Sequence, residues 1–279
     1  MILIQRLFRF FIFSSLFIAL CAVLMVHQTF QLFDLSQPGI NLYGFIFFST
    51  ICSYNFHWYL TTHAAEPSQR IAWAQKYKNI HLFLFLIGLT GSSIFFITLL
   101  AHWQWILLAV FITFLYSAPK FPNEIFHFLK KIAFGKTIFL TTVWTYVTTL
   151  MPLLITDNDF TAATWLFTGS RFFLVYAICI IFDVRDKEDD KLDGIRSLVT
   201  YFDEQKIKLL FYGCLVVFAA CTIGLKFHGY GLLTISMLLL PGIICGTIYN
   251  YAQKNHADIF YYFVLDGLMM LSALLMLVL

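Results

Sequence analysis

Nine apolar runs, each long enough or nearly long enough to cross a lipid bilayer, take up most of this chain. A helix rises 1.5 Å per residue and pairs its own backbone groups, so about 20 apolar residues span the hydrocarbon core and no irregular segment can do so against lipid. The runs are approximately Phe10–Val26, Leu42–Tyr59, His81–Leu100, Trp103–Ala118, Ile138–Ile155, Trp165–Phe182, Leu209–Leu225, Gly231–Tyr249 and Ile259–Leu279. The expected fold class is all-α: a polytopic membrane protein of about nine transmembrane helices. Its 279 residues are 60% hydrophobic and 12% charged, which excludes a soluble domain. The cysteines Cys21, Cys52, Cys179, Cys214, Cys221 and Cys245 all lie inside apolar runs with no close pair. That spacing suits neither a disulfide framework nor a zinc site. The net charge of +3 comes without a basic stripe carrying interleaved aromatics, so no nucleic-acid partner is expected and membrane lipid is the surrounding medium.

The basic residues test this partition, because short cytoplasmic loops collect Lys and Arg and external loops do not. Arg6 and Arg9 precede the first run. Arg70, Lys76 and Lys78 separate the second and third, and Lys120, Lys130, Lys131 and Lys136 separate the fourth and fifth. Six more, from Arg185 to Lys208, follow the sixth run, and Lys254 follows the eighth. The alternate loops contribute only Lys226. The N-terminus is therefore expected inside and the C-terminus outside, as suits a bacterial inner membrane. The first run is long for a secretory signal and has no clear small-residue exit, so it reads as a retained helix. The second and sixth runs each end in a polar cluster, around Asn55 and Asp183, and three more runs follow each. This suggests two four-helix halves after a first helix.

Six of the fifteen acidic residues fall between Asp183 and Asp193. If the sixth helix continues past the membrane surface, Asp183, Asp186 and Asp190 stand at i, i+3 and i+7 on one face. A carboxylate face beside Lys and Arg suits a hard cation, since Mg²⁺ is usually held by one or two carboxylates together with substrate phosphates. A solvated loop of mixed charge is the alternative reading of the same residues.

The run Asp183-Val184-Arg185-Asp186-Lys187-Glu188-Asp189-Asp190, followed by Gly194-Ile195-Arg196-Ser197-Leu198, resembles the second aspartate motif of the UbiA superfamily of intramembrane prenyltransferases. Tyr116-Ser117-Ala118-Pro119-Lys120 is similar to the Tyr-x-x-Pro segment that closes the family's fourth helix. The resemblance covers essentially the whole chain, read as a single UbiA-like domain over residues 1–279. It implies a Mg²⁺-dependent transferase that moves an isoprenyl group from a polyprenyl diphosphate to an acceptor, with Asp183, Asp186 and Asp190 as catalytic and metal-holding residues. The family's first motif, N-D-x-x-D-x-x-x-D, is met only by Asn55, with Phe56, Tyr59 and His63 at the aspartate positions. Asn55, Tyr59 and His63 still share a helical face and could contact a diphosphate directly. Because the first motif is incomplete, a non-catalytic member that binds an isoprenoid or quinone is the alternative function, and a transporter is a third.

Among nearby basic residues (Lys120, Lys136, Arg185 and Arg196), Lys120 and Arg196 are the first candidates for diphosphate contact, by closeness to the matching segments. Positive-inside bias would also account for all four. Arg171 and Asp266 lie within apolar runs, where an ionisable group is a functional or pairing candidate. A structural Arg171–Asp266 ion pair is expected, with Asp266 lining a central cavity as the competing reading. Tyr116, Trp144 and Tyr176 are plausible cavity residues, and Pro152 and Pro241 are expected to kink or end helices. His27, His81 and His127 lie near helix ends, where a structural role is the default.

Overall fold

The computed structural model describes residues 2–36, 39–61, 68–117, 135–192 and 198–278, and among these it is helical throughout with no strand. The helices are α1 (Ile2–Phe13), α2 (Leu16–Leu32), α3 (Gly39–Leu60), α4 (Gln69–Lys76), α5 (Lys78–Thr98) and α6 (Trp103–Ser117). In α7, a π-helical stretch Tyr146–Leu150 joins Gly135–Thr145 to Met151–Ile155. There follow α8 (Ala162–Arg185), α9 (Lys187–Leu192), α10 (Leu198–Tyr201), α11 (Glu204–Gly224) and α12 (Leu232–Ala252). The last helix, α13, begins as a π-helical segment Phe260–Leu265 and continues as Asp266–Met276.

Helices occupy all nine apolar runs, but length and hydropathy qualify fewer of them as spans. Six are long and apolar enough to cross a membrane, and seven if α1 and α2, bent by 57°, form one. The expected count of nine is not reproduced by this measure, for two physical reasons. The apolar run of α3 is diluted by Asn41, Ser49, Thr50, Ser53, Asn55 and His57, and the helical part of the last run extends only over Phe260–Met276.

Two breaks in the helical ladder are closed by side chains from elsewhere. Between α1 and α2 the chain passes through Ser15 in the left-handed region (φ 69), and carbonyls at the break lose their partners in the helix. Arg70 Nη1 donates to the Phe13 carbonyl, and Asn55 Nδ2 donates to the Ser14 carbonyl at 3.0 Å. The second break follows from Pro152, which has no N–H for the carbonyl four residues earlier, that of Thr148. The chain relaxes into the π-helical stretch, and the Thr148 carbonyl accepts from Thr29 Oγ1 (2.7 Å) and Arg171 Nη1 (2.6 Å).

The closest helix pairs are α3 with α5 and α8 with α11. A Cβ at Gly88 of α5 would collide with the backbone of Cys52 in α3, so glycine sets that approach. Ser170 of α8 and Thr222 of α11 share a hydroxyl hydrogen bond of 2.7 Å across the other pair. All six cysteines are free thiols.

Candidate active site at the acidic end of α8

Thr161 and Thr164 cap the start of α8 reciprocally, and the helix runs to Arg185, bringing Asp183 to within its last turn. The helix does not continue unbroken past that point. Asp186 is its C-cap, and α9 restarts at Lys187. The Asp190 N–H still donates to the Asp186 carbonyl at 2.9 Å, so helical pitch is nearly kept across the break. Asp183 and Asp190 are buried, whereas about a third of the Asp186 side chain is exposed. The Asp183 carboxylate accepts a hydrogen bond from the Thr137 hydroxyl of α7.

A network of charge and aromatic faces leads away from this corner. Arg185 Nε donates to Asp186 Oδ1 at 2.7 Å and Nη2 to the Tyr262 hydroxyl at 2.9 Å, while Nη1 lies 3.7 Å from Asp258 Oδ1. Its guanidinium also faces the rings of Phe182, Tyr261 and Tyr262 at 5.2, 4.3 and 5.0 Å. The other oxygen of Asp258 accepts the backbone N–H of Arg70 at 2.7 Å. The Arg70 guanidinium is buried, 4.1 Å from the Trp58 ring centre. Removal from water opposes its charge and pushes its pKa down to about 9. The ring faces, the Phe13 carbonyl and the neighbouring Asp258 carboxylate compensate that charge.

The register of α3 sorts the first-motif candidates. Asn55 is fully buried and uses both amide hydrogens, on the Ser14 and Ile51 carbonyls, while its oxygen accepts from His81 Nδ1 at 2.7 Å. It has no donor left for the expected diphosphate contact. Phe56 packs on Phe85 of α5, and the Tyr59 ring lies under Lys78 Nζ at 4.8 Å, so this face of α3 belongs to α5. Tyr54 and Trp58, one turn apart, face the other way. The Tyr54 hydroxyl accepts from Trp144 Nε1 at 3.1 Å, and Trp58 meets Arg70 and Tyr262. Tyr116, expected near the site, stacks on His57 at 5.4 Å, and Tyr176 is buried against Phe172. His63, Lys120, His127 and Arg196 lie outside the described residues.

The expected Arg171–Asp266 pair is not formed. Arg171 Nη1 donates to the carbonyls of Met25 and Thr148 and to the hydroxyls of Thr29 and Thr149, and Nη2 donates to Gln28 Oε1 at 2.7 Å. All five acceptors are neutral. The Pro152 break supplies one of them, and among the described residues the cation is held by these neutral groups with no counter-ion. Sequence reasoning also missed Thr137, Asp258 and Tyr262 as members of the acidic corner. A lone Thr and Tyr carry no spacing signal, and Asp258 stood in an otherwise unremarkable loop.

No three His, Cys, Asp or Glu side chains converge into a metal cage among the described residues. Mg²⁺ does not demand one, since one or two carboxylates with substrate phosphates suffice, and the hard oxygens of Asp183, Asp186 and Asp190 fit that donor set.

An all-helical bundle with an acidic corner at the end of one apolar helix defines a membrane protein with an internal polar site. The UbiA prenyltransferase family matches residues 67–274 of the 279, and the chain belongs to that family. Neither a curated protein nor a solved structure matches the chain.

Proposed function

We propose that the chain is an intramembrane prenyltransferase that moves an isoprenyl group from a polyprenyl diphosphate to an acceptor, with Mg²⁺ as cofactor. One observation carries this reading: the second aspartate motif of a UbiA family member ends an apolar helix, with two of its carboxylates buried in the bundle. One or two of the carboxylates of Asp183, Asp186 and Asp190, together with the substrate phosphates, would hold Mg²⁺, which when bound neutralises the diphosphate leaving group. Asp183 is kept in place by Thr137, and Asp186 by Arg185. Arg185 and Arg70 add fixed positive charge near the same corner. The ring faces of Trp58, Phe182, Tyr261 and Tyr262 provide negative quadrupoles that favour a developing allylic cation. Lys120 and Arg196 remain the candidates for further diphosphate contact. The Lys and Arg distribution supports a cytoplasmic N-terminus, an external C-terminus and a bacterial inner membrane.

A second reading, a non-catalytic family member that binds an isoprenoid or quinone, is favoured by the state of Asn55, whose amide is saturated by protein partners. The two readings are separated by binding of a polyprenyl diphosphate to purified protein in detergent, with and without Mg²⁺, in wild type and in the Asp183→Ala and Asp186→Ala variants. Magnesium-dependent affinity that collapses in both variants supports the transferase. A folded wild type with no such affinity overturns it in favour of the second reading.

A further inference from the structure

Asp266 is a charge that the acidic corner does not use. It is the first residue after the π-helical segment of α13 and shares a helical side with Met269 and Ala273, both buried. Val264, on the opposite side, is exposed. The Asp266 side chain therefore borders the bundle interior, yet it keeps accessible surface. Among the described residues no hydrogen bond or ion pair engages its carboxylate, whereas Asp183, Asp186 and Asp258 each have a partner. Trp58 of α3 and Tyr262 of α13 meet at 5.9 Å between ring centres, and Tyr54 and Asp266 stand four residues from these two on the same helices, which brings α3 alongside α13 at this level.

The level of Asp266 follows from Tyr262, four residues earlier, whose hydroxyl binds Arg185 beside the acidic motif. Asp266 thus lies about one helical turn, on the order of 5 Å, farther into the bundle than that corner. The Tyr54 hydroxyl, which accepts from Trp144, has no acceptor among the described residues for its own O–H. One unused acceptor and one unused donor therefore stand beyond the diphosphate end, where a molecule attacking the first carbon of the isoprenyl chain would have to lie.

We infer that Asp266 and Tyr54 form the polar end of the acceptor subsite and select a neutral, hydroxyl-bearing acceptor over an aromatic carboxylic acid. This rests on the transferase reading above. A hydroxyl donates to the Asp266 carboxylate while its oxygen accepts from Tyr54, so all three groups are satisfied in a dry site. A carboxylate in the same place would set two like charges together with little water between them.

The inference is tested without donor or magnesium, so that it fails independently of the diphosphate reading. Purified protein in detergent is titrated calorimetrically with 4-propylphenol and with 4-propylbenzoate at neutral pH. Wild type is expected to bind the phenol at least about tenfold more tightly. Asp266→Asn should bring the two affinities together, and Tyr54→Phe should weaken the phenol without strengthening the benzoate. Equal or preferred binding of the benzoate by wild type, binding of neither compound, or a preference unchanged in Asp266→Asn overturns the proposal. If Asp266→Asn fails to fold, the wild-type preference and the Tyr54→Phe response decide it.

Discussion

Arg171 shows how a single residue can be read correctly as important and wrongly in its partner. An ionised group in an apolar run must be compensated, and Asp266 was the one opposite charge in another run. The actual compensation is neutral: two backbone carbonyls, two hydroxyls and a glutamine oxygen. Replacing Arg171 with Met removes the donor from all five. Thr29 still reaches the Thr148 carbonyl and Ser272 still reaches Gln28, so the loss is partial. The expected cost is about 1–3 kcal/mol, seen as a lower unfolding midpoint in detergent; an unchanged midpoint would mean the hydrogen bonds contribute nothing. The acidic motif was legible because six carboxylates in a short stretch are conspicuous in an apolar chain. The partners that orient it were not, since Thr137, Asp258 and Tyr262 reach it only through packing of distant elements. Asn55 was legible as a motif remnant, but its saturation by Ser14, Ile51 and His81 depends on a helix break that composition does not reveal.

At the scale of elements, apolar length located the helices well and located their interruptions poorly. Pro152 and Pro241 were both expected to disturb their helices. Pro241 lies inside the continuous helix α12, while Pro152 borders the π-helical stretch of α7. The sharper break, between α1 and α2, falls at Ser14-Ser15, which carries no proline or glycine. Ser15 holds a left-handed conformation that disfavours a side chain, and its buried hydroxyl has no hydrogen-bond partner among the described residues. Glycine at this position should relieve both penalties. Ser15→Gly is expected to stabilise the protein by about 1 kcal/mol, measured as a higher unfolding midpoint, because a residue with no Cβ adopts this geometry freely. A fall in the midpoint would show that the break is held by something other than backbone conformation.

For the whole molecule, the all-helical bundle was legible from sequence, while basic loops on one side are an expectation drawn from charge alone. The pairing of α3 with α5 and of α8 with α11 links the second run to the third and the sixth to the seventh, the same step in each expected half. The number of spans was less legible, because α3 is apolar enough to pack among helices yet carries Asn41, Ser49, Thr50, Ser53, Asn55 and His57 along its length. Sidedness has a direct test. Single cysteines in place of Lys191 and His228, both exposed, in a variant lacking the native thiols, should react with a membrane-impermeant maleimide from opposite faces of the membrane. Lys191 is expected to react only in inverted vesicles and His228 only in intact cells. Labelling of both from one face would invalidate the alternation of loops. The Pro152 break also has a consequence for descent. The Thr148 carbonyl that binds Arg171 is available because Pro152 does not claim it, so neither position is free to change alone. Restoring an N–H at position 152 would compete with the arginine, and removing the arginine would leave the proline's vacancy half filled. Chains derived from this one should therefore keep the proline and the arginine together or exchange both, a pairwise dependence between residues that are nineteen positions apart.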